Sequence, residues 1–287
     1  MVGTKECSEL SFGQVEGFFV DACVLLPHSI DSVKRSCLDF LRENASRCLL
    51  SSSVKSEAIC LIEKSHSLIL SELHSNLKPF LEKHEIRQLS NRHGRVVAQF
   101  FMERRRVWKK GFKSSIPREI VGVIENYCAS RLHSLENGEK IDVDNFIALL
   151  ITELTLKKRV LQGPFKGIRA IEVNPDASIA SLIVLRTLLV NEMDAQHLAS
   201  AVTFQLQNDK WVIFVTTDDT EILSREDKLF QIFALQCSSP EWASDYYVEM
   251  TKMKAPIEYF REIPKHSDEQ KEFAGKIEKA IGIKIIG

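Results

Sequence analysis

Two uninterrupted apolar runs constrain this chain more than any other feature. Gly17-Phe18-Phe19-Val20 and Trp211-Val212-Ile213-Phe214-Val215 carry no polar position. Both are too short for helices and bounded by turn-type residues, so both read as buried strands. The first runs directly into Asp21, and the second reaches Asp218 through Thr216-Thr217. After Pro27, Asp31 can cap a helix using Val33, Cys37, Leu38 and Leu41. Cys48-Leu49-Leu50 then reads as another strand. Ser51, Ser52 and Ser53 offer an N-cap for a long helix with Val54, Ala58, Leu61, Ile62, Leu68, Ile69 and Leu73 on one stripe. Strand, helix, strand, helix is the opening of an α/β domain.

The pattern changes at Pro79. From there to Leu161 the signal is helical, without a convincing strand. One helix holds Val96, Val97, Phe100, Phe101 and Val107; a second follows Pro117. Asn137-Gly138 breaks the run, and Asp142 can cap a third helix. The α/β character returns with a helix from Ala177 to Val190, and Asp194 opens the next one. Ile232 to Leu235 reads as a last core strand. Ser267 and Gln270 form a capping box for a tail helix closed by Gly282. The expected organisation is an α/β domain in two halves, residues 14–75 and 171–262. A helical insertion over residues 76–170 separates them, and a helical tail spans residues 263–287.

Composition narrows the class. With 287 residues, 44% hydrophobic and 27% charged, the chain matches an average globular protein. No run approaches eighteen apolar residues, so no spanning helix and no membrane are expected. Residues 1–13 contain Lys5, Glu6 and Glu9 and lack the apolar core of a secretory signal. The seven cysteines are odd in number and include no C-x-x-C pair, which suits free thiols in a reducing, cytoplasmic compartment.

The chemistry should sit where the strands end. Ligands of an open parallel sheet bind beyond the carboxyl ends of its strands, so Asp21 and Asp218 can share one site. Glu57 lies three residues after Val54 and four before Leu61, at the edge of the core-facing stripe. A carboxylate there needs a partner, because unpaired charge in low dielectric is costly. Asp194 precedes Ala195, Ala199 and Ala201, small residues that allow close packing on a sheet. Several clustered carboxylates suit hard, oxygen-seeking cations, Mg²⁺ or Mn²⁺, rather than structural zinc.

These residues resemble the PIN-domain ribonucleases. The resemblance rests on Phe19-Val20-Asp21, on Glu57, on Asp194-Ala195 with His197-Leu198-Ala199 and Ala201, and on Phe214-Val215-Thr216-Thr217-Asp218. It covers roughly residues 14–75 and 171–262. It implies a three-layer sandwich with a central parallel sheet between helices. It also implies phosphodiester hydrolysis by a metal-dependent endoribonuclease. Asp21, Glu57, Asp194 and Asp218 would be the catalytic, metal-binding carboxylates and Asp219 a fifth metal-binding acid. Thr216 would orient a neighbouring acid or a water. His197 would touch substrate phosphate or a neighbouring acid, although a packed, hydrogen-bonded histidine is the plainer reading. Cys23 departs from the family, which usually has a small polar residue there, and a thiol is expected to orient a carboxylate poorly.

The insertion carries its own signal. Between Lys83 and Lys113 ten lysines and arginines face two glutamates, a net +8 that leaves −9 on the rest of a chain whose total is −1. Arg104, Arg105, Arg106, Lys109, Lys110 and Lys113 are the candidate nucleic-acid contacts, since cations position a phosphodiester backbone. The alternatives are a solvated helical face or a patch for an acidic protein. The expected function is a nuclease acting on single-stranded or structured RNA. The alternative is a PIN-like scaffold that binds RNA or a partner protein without cutting. An antitoxin or other protein partner and a homodimer are the further partners that the resemblance allows.

Overall fold

The computed structural model describes residues 14–26, 31–111, 118–163, 168–188 and 191–286. The strands are β1 (Val15–Val20), β2 (Cys48–Ser51), β3 (Gln88–Leu89), β4 (Ile141–Asp142), β5 (Arg169–Ile171), β6 (Trp211–Val215) and β7 (Gln236–Ser238). Five of them form one sheet in the order β5-β2-β1-β6-β7. Every pairing in that sheet is parallel. The expected α/β class with a central parallel sheet is therefore present, and its architecture fits a three-layer sandwich. Among the described residues no helix is long and apolar enough to cross a membrane.

The chain separates into two compact units, residues 1–56 with 167–287, and residues 57–166. The division falls inside the helix Ser52–Glu72, upstream of the 75/76 boundary expected from the sequence. The reason is continuity of the helical path. The apolar stripe passes through a π-helical turn, Leu73–Leu77, without a break, so Ile69, Leu73, Leu77 and Leu81 belong to the core of the second unit.

In the first unit β1 and β6 are the central pair. Phe18, Phe19 and Val20 and all of β6 are fully buried, as expected for strands covered on both faces. Gly17 is required where it stands. Its φ is +153°, and a Cβ there would lie 2.1 Å from the Arg47 carbonyl oxygen. The β1–β6 register shifts at the same point, between Val15 and Gly17. The helix Glu192–Asn208 is buried along most of its length through Ala195, Ala199, Ala201 and their neighbours. Its cap is Asn191, whose side chain accepts the Met193 N–H, so Asp194 sits inside the first turn and does not open the helix.

Other expectations fare unevenly. Asp142 caps the helix Val143–Gln162, and Ser267 and Gln270 form a capping box ended by Gly282 at φ +72°. Ile232 and Phe233 close the helix Glu226–Phe233, and the last strand is β7. Four apolar residues do not separate strand from helix by themselves; Leu229 and Phe233, four apart and both buried, follow the helical period. The preceding helix is shorter than expected, Pro175–Leu185.

The second unit is helical, with a short antiparallel β3–β4 pair that the sequence pattern did not suggest. Its core includes Phe100, Phe101, Cys128, Phe146 and Leu150. Phe100 and Phe101 meet edge to face at 5.3 Å between ring centroids. These aromatics are core residues and offer no base-stacking surface.

Candidate active site

The sheet order reverses direction between β1 and β6. From β1 the chain moves outward through β2 and β5, then returns to place β6 on the other side of β1 and β7 beyond it. Such a switch point opens a crevice at the carboxyl ends of the two central strands. Asp21 follows β1 there and Thr216 follows β6. The Asp21 N–H donates to the Val215 carbonyl at 3.0 Å, locking the two strand ends together.

The Asp21 side chain is the hub. It is 5% exposed. Its Oδ1 accepts the Ala22 N–H at 2.6 Å and lies 3.1 Å from His197 Nδ1. Its Oδ2 accepts from Cys23 Sγ at 2.9 Å and from Thr216 Oγ1 at 2.9 Å. A carboxylate offers about four acceptor positions, and all are used. Burial alone would raise the Asp21 pKa. The hydrogen bond and charge of His197, with the Cys23 and Thr216 hydrogen bonds, outweigh that and hold it below the ordinary value.

Cys23 is an organiser here, contrary to the expectation from its chemistry. Its sulfur accepts the Thr217 N–H at 3.1 Å and lies 3.2 Å from Thr216 Oγ1. Burial, and then the Asp21 charge, push the thiol well above its ordinary pKa. It therefore keeps the proton it donates. Thr216 passes the order on, since its hydroxyl oxygen accepts the Asp218 N–H at 3.1 Å.

Asp21, His197 and Thr216 are thus brought into one network, with Asp218 attached through its backbone. The Asp218 side chain is turned to its own loop, where Oδ1 accepts the Thr220 N–H and hydroxyl and the Glu221 N–H. Asp219 is exposed. Asp194 is half-buried one turn before His197, with its Oδ2 shielded from solvent. Glu57 is the first residue of the second unit, half-buried with Oε2 shielded. Among the described residues no three histidine, cysteine, aspartate or glutamate side chains converge into a group able to hold a metal.

Of the basic segment, Arg104 is committed within the second unit. Its Nε and Nη2 donate to the two carboxylate oxygens of Glu72 at 2.7 and 2.8 Å. The side chains of Arg105, Arg106, Lys109 and Lys110, and the whole of Lys113, lie outside the described residues.

One feature, the donor role of Cys23, runs against the expectation from the sequence. Cys23 was visible only as a departure from a family pattern. The Asp21–His197 contact joins residues 176 positions apart; of the readings open for His197, the structure has a buried histidine hydrogen-bonded to a neighbouring acid. No protein-family model, no curated protein and no solved structure matches this chain.

Proposed function

We propose that the chain is a PIN-like nuclease that hydrolyses phosphodiester bonds, with RNA as the substrate, at the carboxyl ends of β1 and β6. The observation that carries this reading is the meeting of Asp21, His197 and Thr216 at the switch point of a parallel sheet, with Asp218 on the adjoining loop. Ligands of such sheets bind in that crevice.

The acids suit one mode of divalent-cation binding. Asp218 Oδ2 accepts no hydrogen bond among the described residues, and the exposed Asp219 makes none through its side chain. Mg²⁺ commonly keeps several waters and takes one or two carboxylates together with substrate phosphate. Asp218 and Asp219 would hold Mg²⁺ or Mn²⁺ in that open mode, with Asp194 as the further acid of the same unit. When bound, the cation would supply charge neutralisation at the phosphate. The chain's own contribution is positional. Asp21 fixes Thr216, Thr216 fixes the Asp218 backbone, and the buried network keeps both strand ends in place.

A second reading has a specific observation behind it. Every acceptor position of Asp21 is already filled by the protein, as in a scaffold that binds RNA or a protein without cutting. One assay separates the two. Wild type and Asp219→Asn are incubated with a mixed RNA pool in Mn²⁺, Mg²⁺ or EDTA, and their melting temperatures are compared. Metal-dependent cutting, lost in the variant at unchanged melting temperature, is the expected result. RNA retained without cutting in any condition supports the scaffold. Neither cutting nor retention removes both.

A further inference from the structure

A cavity of about 330 Å³ opens beside the end of β7, lined by Leu223, Glu226, Ser238, Ser239, Trp242 and Tyr246. A smaller one of about 210 Å³ shares Glu226 and Tyr246 and adds Asp227 and Phe230. The Asp21 network uses none of these side chains.

Three features of the larger cavity need explaining together. Trp242 is 60% exposed, although its backbone is anchored by the Ser239 carbonyl and by the N–H groups of Asp245 and Tyr246. An indole left this exposed is unusual for a side chain with so much apolar area to bury. Glu226 makes no side-chain hydrogen bond or ion pair among the described residues, and neither do Asp227 and Glu249. Arg225, the nearest basic residue in sequence, is spent on Glu221 through its carbonyl and carboxylate. The acids act on the aromatic ring beside them. Burial and then Glu226, Glu249 and Asp227 raise the Tyr246 pKa, while burial and then Asp227 raise that of Glu226. First-turn acids suit a helix N-terminus, which accounts for Glu226 and Asp227. It accounts for neither the cavity nor the presented indole.

We propose that this cavity binds the guanidinium of an arginine side chain from a basic segment of a partner protein. The charge is complementary, because Glu226, which makes no ion pair among the described residues, lines a cavity that has no lysine or arginine in its lining. The shape of the chemistry is complementary as well. A planar guanidinium stacks on aromatic faces and gives paired N–H donors to one carboxylate, here Trp242 with Tyr246 and Glu226. A polyanionic strand would meet like charge at this place.

The test is independent of the proposed nuclease activity. The full chain is titrated with acetyl-Gly-Arg-Gly-amide and with the same peptide carrying citrulline, which keeps the shape and loses the charge. Binding is read by calorimetry and by tryptophan emission. Saturable binding of the arginine peptide is expected, about tenfold or more tighter than the citrulline peptide, as suits a charge-assisted contact. Glu226→Gln and Trp242→Leu, both at accessible positions, should each weaken it at unchanged melting temperature. Equal binding of the two peptides, or an unaffected Glu226→Gln variant, overturns the proposal. Saturable binding of guanosine monophosphate in place of the peptide also overturns it and makes the cavity a nucleobase site.

Discussion

At the scale of single residues Asp21 is the position where stability and the proposed chemistry meet. It receives two donors on each oxygen, so an amide in its place must turn an NH₂ toward two of them. Asp21→Asn should therefore cost about 2–4 kcal/mol, the range for breaking a buried charged network, read by urea denaturation. The pH dependence has a definite sign. Because the folded carboxyl lies below its ordinary pKa, its contribution is fully present above roughly pH 4 and is lost as pH falls through the depressed folded value. The wild-type stability curve should fall on this acid side, and the variant's should fall less. His197, whose sequence context already allowed a neighbouring acid as its partner, is the buried histidine beside this carboxylate.

At the scale of elements, two glycines make opposite predictions. Gly17 sits inside β1, paired on both sides, with the Arg47 carbonyl where a Cβ would go. Gly17→Ala should destabilise by roughly 2 kcal/mol or more, since neither backbone can yield cheaply. Gly275 lies in the helix Asp268–Ile281, and a Cβ there meets nothing within 4 Å. Gly275→Ala should stabilise by about 0.5–1 kcal/mol through helix propensity. Thermal melts of the two variants beside wild type check both signs at once. Strands β1, β2 and β6, the caps at Asp142 and Ser267 and the long helix Ser52–Glu72 were legible because they depend on local periodicity and capping chemistry. The extent of the last strand was not, because Ile232 to Leu235 satisfies two periods equally.

At the scale of the whole molecule the uneven charge matters most. A net +8 between Lys83 and Lys113 within a chain of net −1 is a long-range field that a single ion pair does not cancel. Arg104 is withdrawn by Glu72; Arg105, Arg106, Lys109 and Lys110 are the residues to test. If these four contact RNA, replacing them with glutamine should weaken retention. It should also reduce the slope of log K against log salt by roughly 0.7 for each lost contact with a single strand. Filter binding over a salt series reads both. An unchanged slope would assign the segment to a solvated face or to an acidic protein partner. The two compact units divide at Ser56/Glu57, upstream of the 75/76 boundary that the sequence pattern suggests. A helix belongs to the core that its stripe fills, and the stripe of Ser52–Glu72 continues into the second unit.

By itself the amino-acid sequence determined the α/β class and strands β1, β2 and β6 with the long helix after β2, because alternation of short apolar runs with amphipathic helices is a local property. It also placed Asp21 and Thr216-Thr217-Asp218 just beyond two strands. The tertiary structure alone decided what those positions do. Parallel pairing of β1 with β6 carried Asp21 to Thr216 across 195 residues, and the buried helix before β6 brought His197 to the same carboxylate. Cys23 became a donor because burial keeps its proton on sulfur. Such roles depend on burial and on contacts distant in sequence, which residue order alone does not encode in any short window.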